Sequence, residues 1–361
     1  MRSKGGLGAE MGGEQSLNRR GWLLSAGGVV LGCRGTAGSR PRLDGADGAG
    51  SGGAGERDGA ALDPAGPDGA AGTSAEVGAS VEEAPYPKTV ARETIAGGAL
   101  ALHDWALPGD AKLGRRAVVL VPTHLQKGER VPLLIALHGL AETVDEEMGA
   151  YAWVKRYGIG DGYAHARSPE SITVEGLGKM VTPARVAELR ADLAAFRGMV
   201  IACPYTPNIW KAAPNPEMVL DGYAPWLFDV LLPRLRSETP MSARVALDGV
   251  SLGGYASLGV GVRKLDAIQS LGCVQAAIAT SDAEKWADRI AKAFATHGAR
   301  PLQLLTSTSD TFRAPVEALS AVLTKRSIAH TFRLAIGPHD QPFLRGPGSL
   351  EMLLFHDRAL R

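Results

Sequence analysis

Gly249-Val250-Ser251-Leu252-Gly253 follows an apolar stretch, Arg244-Val245-Ala246-Leu247-Asp248. It precedes Gly254-Tyr255-Ala256-Ser257-Leu258-Gly259-Val260, a small-residue run that suits a packed helix. A Gly-x-Ser-x-Gly frame between a strand and a helix is a nucleophile elbow. The turn is so sharp that residues two before and two after the serine cannot carry bulky side chains, which Gly249 and Gly253 satisfy. The strain lifts the Ser251 hydroxyl above the sheet, and the helix start behind it offers N–H groups and a positive dipole end to a developing anion. The chemistry this predicts is nucleophilic attack by a serine. The bland alternative is a glycine-rich turn with an idle serine.

A nucleophilic serine needs a base, and the base needs an orienting carboxylate. Such an elbow expects the chain order serine, acid, histidine. The downstream histidines are His297, His330, His339 and His356. Only Gly337-Pro338-His339-Asp340 forms a loop directly after an apolar strand, Thr331-Phe332-Arg333-Leu334-Ala335-Ile336, so His339 is the expected base. His297 stands at a helix end before Gly298, His330 opens a strand, and His356 lies in the last helix. Asp310 follows the strand Leu302–Ser307 and is the expected acid, with Asp282 as runner-up and helix capping as its bland alternative. Asp340 adjoins the histidine and points elsewhere.

A second oxyanion donor is expected from the loop after Pro132-Leu133-Leu134-Ile135-Ala136-Leu137-His138-Gly139. The two donors are then the backbone N–H groups of Leu140 and Leu252. His138 either orients this loop or serves as a second base. Tyr205, Trp210, Tyr223 and Trp226 fall after the strand ending at Cys203, where they either line a substrate pocket or pack in the core.

The elements that must position these residues are read from apolar runs. Arg116–Pro122, Pro132–Gly139, Met199–Pro204, Arg244–Asp248, Cys273–Ala279, Leu302–Ser307 and Thr331–Ile336 are continuous rather than alternating, which predicts a sheet buried on both faces. The segments 218–235, 283–296 and 315–325 carry apolar residues at helical spacing. Strand–helix alternation predicts an α/β domain with a mostly parallel, twisted sheet and helices on both faces. The segment 93–108 is expected to supply an antiparallel opening strand. The connection 141–190 is long, and it reads either as a lid near the site or as a surface insertion. Thr182-Pro183 is a helix start with proline in the first turn. Cys203 and Cys273 lie on different, non-adjacent strands and are expected to be free buried thiols.

The first quarter of the chain reads differently. Residues 34–84 are about half glycine and alanine with no aromatic residue. Such a segment buries too little to offset backbone ordering, and it reads as a disordered tether spanning on the order of 40 Å. Before it, Arg19-Arg20-Gly21-Trp22-Leu23 is similar to a twin-arginine export signal, and Val30-Leu31-Gly32-Cys33 is similar to a bacterial lipobox. Leu31 is bulkier than most lipoboxes carry there. These features predict a signal peptide over 1–33, lipidation at Cys33, and a catalytic domain over 85–361. A cleaved soluble exported protein and a cytoplasmic one are the competing readings, and Met11 is an alternative start.

From about residue 93 onward, three quarters of the chain resembles an α/β-hydrolase of the esterase kind that includes esterase D-like, feruloyl esterase-like and polyhydroxyalkanoate depolymerase-like enzymes. The resemblance rests on Leu133–Gly139, Gly249–Gly254, Asp310 and Gly337–Asp340. It implies ester hydrolysis without a cofactor or metal, acting on a small-molecule or polymeric ester. A serine peptidase or acyltransferase on the same fold is the first rival. An inactive, surface-anchored binding module is the second. The 361 residues carry 39 Lys and Arg against 38 Asp and Glu, a balance without the clustered basic surface that nucleic acid requires. No run of 18 apolar residues exists, so any membrane attachment would come through the lipid. Three cysteines and no His-Glu-x-x-His exclude a four-thiolate zinc site and a zincin.

Overall fold

The computed structural model describes residues 92–211 and 215–361. The expectations for 1–33 and 34–84, Cys33 among them, lie outside the described residues. Nine strands form one sheet. They are β1 (Glu93–Ile95), β2 (Leu100–Ala106), β3 (Arg116–Pro122), β4 (Val131–Leu137), β5 (Val200–Pro204), β6 (Met241–Gly249), β7 (Ser270–Val274), β8 (Leu302–Ser309) and β9 (Thr331–Pro338). Their order is β1-β2-β3-β5-β4-β6-β7-β8-β9. β1, β2 and β3 pair antiparallel, β3 also runs antiparallel to β5, and every pair from β5 through β9 is parallel. The opening segment therefore supplies two antiparallel strands where the sequence predicts one. A turn around Gly97, at φ 64°, folds β1 back on β2.

The continuous apolar runs are explained by burial on both faces. Along β4, Leu133, Ile135 and Leu137 join one core, while Leu134 and Ala136 join the other. The first core is closed by the helices Leu252–Gly261, Ala283–His297 and Arg313–Lys325 and by the helical run 216–238. The second is closed by Ile159–Arg167, Pro183–Leu193 and Ser349–Leu360. Two prolines, Pro225 and Pro233, lack the donor an α-helix needs. The run 216–238 accommodates them by a π-helical turn over Trp226–Leu231. Thr182 caps the helix Pro183–Leu193 by accepting from the Arg185 N–H at 3.1 Å, as its sequence predicts.

One strand sits earlier than its apolar run suggests. β7 spans Ser270–Val274, and the residues after it leave the sheet. They are spent under the elbow: the Ala277 N–H donates to the Ser251 carbonyl at 2.9 Å, and a Cβ on Gly254 would lie 2.9 Å from the Ala276 backbone. Cys203 on β5 and Cys273 on β7 are free, buried and separated by β4 and β6. Burial raises both thiols, so neither is poised as a thiolate. Within the described residues no helix is long and apolar enough to cross a membrane.

Candidate active site

β6 ends at Gly249 and the helix Leu252–Gly261 begins three residues later. Ser251 turns the corner at φ 58° and ψ −116°. For a non-glycine residue that conformation costs about 1–3 kcal/mol and persists only where the surroundings over-determine it. Here the Ser251 N–H donates to Val274 at 2.9 Å. Its carbonyl accepts from Tyr255 at 3.0 Å and from Ala277 at 2.9 Å. The flanking glycines answer a close approach. A Cβ on Gly249 would lie 2.3 Å from the Gly253 carbonyl oxygen, and one on Gly253 would lie 2.4 Å from that of Leu137.

Asp310 and His339 follow the C-terminal ends of β8 and β9, at the sheet edge where β6 delivers Ser251. They meet: His339 Nδ1 lies 2.7 Å from Asp310 Oδ1. An ionised carboxylate can only accept, so Nδ1 is the donor, which in a neutral ring leaves the lone pair on Nε2. Asp310 is held from two further sides. The Thr306 hydroxyl donates to Oδ2 at 2.6 Å and the Phe312 N–H donates to Oδ1 at 2.9 Å. The Asp310 side chain is fully buried while that of His339 retains 24% exposure. Phe312 stands edge-on to the His339 ring at 5.3 Å. Asp282 instead closes a short turn at the start of the helix Ala283–His297.

Leu252 is the first residue of its helix, and such an N–H has no intrahelical acceptor. Leu140 opens a 3₁₀ turn over Leu140–Glu142 and is 44% exposed. His138 beside it is fully buried, and both ring nitrogens are occupied. Nδ1–H donates to the Gly139 carbonyl at 2.8 Å and Nε2 accepts from the Thr206 N–H at 2.8 Å. Burial pushes its pKa down to about 4. Of the two roles open to His138, these contacts leave orientation of the loop.

The aromatic residues separate. Tyr223 is fully buried, its hydroxyl donates to the Tyr205 carbonyl at 2.8 Å, and its ring stacks on Trp226. Of the two places open to it, substrate pocket or core, the helical run 216–238 turns it into the core. Tyr205 is also buried, with its ring on His138 and its hydroxyl on the Thr143 carbonyl at 3.2 Å. Trp210 is 41% exposed and lies edge-on to Tyr255, four residues after the nucleophile candidate.

Three groups escaped the sequence reading. Gln275, at φ 49°, donates from Nε2 to the Ser307 hydroxyl at 2.7 Å and to the Pro338 carbonyl at 2.9 Å. It thereby ties the end of β9, next to His339, and β8 to the residue that follows β7. Tyr157 and Glu142 meet beside Gly139. Asp248, three residues before Ser251, holds His356 Nε2 at 2.8 Å, and His356 Nδ1 lies 2.7 Å from the Ser270 hydroxyl. The unusual positive φ of Gln275 is visible only in the folded backbone. The one sequence hint for Asp248 is a carboxylate inside an apolar strand. Among the described residues no group of three or more potential ligands could hold a metal ion.

No family model matches the chain, and no curated protein does. Solved structures do. A ferulic acid esterase superposes with a TM-score of 0.52 at 16% identity, covering 73% of this chain and 98% of its own. The fluorophosphonate-binding serine hydrolase F of Staphylococcus aureus gives 0.51 at 11%, covering 71% and 99%. An S-formylglutathione hydrolase of the same organism gives 0.50 at 11%, again covering 71% and 99%. At such identities the likeness is one of fold, and the fold is that of the α/β-hydrolases.

Proposed function

We propose that this protein is a serine esterase acting through Ser251, His339 and Asp310. The reading is carried by one observation: a His–Asp pair at 2.7 Å on the sheet edge that receives a positive-φ serine between two glycines. In the first half-reaction the Ser251 hydroxyl oxygen attacks the ester carbonyl carbon and its proton passes to His339 Nε2. Asp310 offsets the imidazolium charge. The Leu140 and Leu252 N–H groups bind the oxyanion, each worth about 3–4 kcal/mol by analogy with single-donor deletions. The alcohol leaves with the proton from His339. Water then attacks the acyl-serine, giving its proton to His339, and the acid departs as Ser251 recovers its own. No cofactor or metal enters the sequence.

The substrate is a small-molecule or polymeric ester with an apolar part. Exposed Leu140, Val144 and Trp210 support this, lying on loops at this edge of the sheet. A ferulic acid esterase and an S-formylglutathione hydrolase share the fold. We read residues 1–33 as an export signal ending at a lipidated Cys33, which would leave the enzyme tethered outside the cytoplasm.

A fluorophosphonate probe followed by mass spectrometry tests the reading. One adduct is expected, on Ser251, absent from Ser251→Ala and strongly slowed in His339→Ala. Asp310→Asn should lower kcat on a responsive ester on the order of 10⁴-fold. A folded protein that takes no adduct and cleaves no ester would instead favour a binding module.

A further inference from the structure

The insertion 141–190 reaches back to the loop that carries Leu140. The Gly139 N–H donates to the Tyr157 hydroxyl at 3.2 Å, and that hydroxyl donates in turn to Glu142 Oε2. One phenol therefore bridges both ends of a four-residue loop, with Leu140 between them. Tyr157 and Glu142 are buried. The Tyr157 ring stands edge-on to the fully buried Trp153 at 5.1 Å, and Arg156 Nη1 lies 3.4 Å from Glu142 Oε1. The bridge runs alongside the nucleophile. A Cβ built on Gly139 would lie 3.0 Å from the Tyr157 hydroxyl, 3.4 Å from Glu142 Oε2 and 3.7 Å from Ser251 Cβ.

From this juxtaposition we propose that Tyr157 and Glu142 are positioning residues that lock the 139–142 loop with the Leu140 N–H aimed at the oxyanion. The proposal rests on the esterase reading for its catalytic consequence. A hydroxyl that accepts at one end of a loop and donates at the other fixes both the peptide plane and the turn. Peptide dipoles stabilise a transition state only when aimed beforehand, and a displacement of about 1 Å costs on the order of 100-fold. Burial and the adjacent carboxylate hold the Tyr157 phenol well above its ordinary pKa, so it stays a donor rather than a base. On this account the insertion is a fixed buttress of the oxyanion site.

The test uses the full chain with Tyr157→Phe, Glu142→Ala and Glu142→Gln. Tyr157→Phe should lower kcat at least about 10-fold with KM nearly unchanged, as expected for an interaction expressed in the transition state. It should weaken a trifluoromethyl ketone inhibitor in parallel with kcat/KM. Backbone hydrogen exchange over 137–143 should accelerate. Glu142→Ala should match it, whereas Glu142→Gln, which keeps an acceptor for the phenol, should retain most activity. A folded Tyr157→Phe with wild-type kcat per titrated site would overturn the proposal, and so would unchanged exchange over 137–143. Should Tyr157→Phe not fold, the Glu142 pair decides by the same readouts. If the wild type cleaves no ester, the esterase reading fails alone, and the exchange measurement still judges the bridge.

Discussion

Four downstream histidines compete for one role, and their partners separate them. His356 is bound at both ring nitrogens, His330 sits between the Ser320 hydroxyl and the Ile328 carbonyl, and His297 ends its helix before Gly298. His339 has Nδ1 on Asp310 and its other nitrogen turned from that carboxylate. The strand ends that place Ser251, Asp310 and His339 were legible because apolar runs stop abruptly at turn residues. Tyr157 and Glu142 were not, since no spacing signals a hydrogen bond across 15 positions. His138 supports a prediction at this scale. Its folded pKa is about 4 against an ordinary 6.5, so in acid the unfolded chain takes up the proton first. Its neutral, buried form therefore contributes stability that is full above about pH 6.5 and falls progressively towards pH 4, by about 3 kcal/mol in all. Urea unfolding of wild type and His138→Gln across that range should show a slope in the first that is shallower in the second. Parallel profiles would remove His138 as its source.

The elbow is held by its elements as much as by its own turn. Asp248 at the end of β6 accepts from the Gly249 N–H at 2.6 Å and holds His356 on the helix Ser349–Leu360, which holds Ser270 on β7. Strand order puts β6 and β7 side by side, and Gly272 leaves room: a Cβ there would lie 2.0 Å from Asp248 Oδ2. Burial pushes the Asp248 carboxyl up while His356 opposes it. Removing one member of such a buried pair typically costs about 3–5 kcal/mol, because the other is left without compensation. His356→Leu should therefore lower unfolding free energy by about that amount, read from denaturant midpoints at constant slope. A loss under about 1 kcal/mol would show that the pair contributes little. Three helices were legible from their apolar stripes and one from its start at Thr182-Pro183, whereas Ile159–Arg167, lying within 141–190, was not. The shift of β7 was not, because alanines packed beneath an elbow and alanines in a strand give the same apolar run.

At the scale of the whole molecule, one sheet edge gathers the ends of β6, β8 and β9 although the chain separates Ser251 from His339 by 88 positions. The proposed anchor belongs to this scale too. Expressed with its N-terminus in a bacterium that has twin-arginine export, the protein should sediment with membranes and appear in the soluble fraction after Cys33→Ala. Identical fractionation of the two would remove the lipid from the account. What the sequence determined by itself was the strand–helix alternation, the burial of the sheet on both faces and the three residues nominated for the site. Each is written in local patterns of apolar, small and turn-forming residues. Only the tertiary structure decided that His138 is fully engaged, that Tyr223 belongs to the core, and that Gln275, Tyr157 and Asp248 make hydrogen bonds beside the segments carrying His339, Leu140 and Ser251. Those outcomes depend on burial and on hydrogen bonds between distant segments, which exist only once the chain has packed.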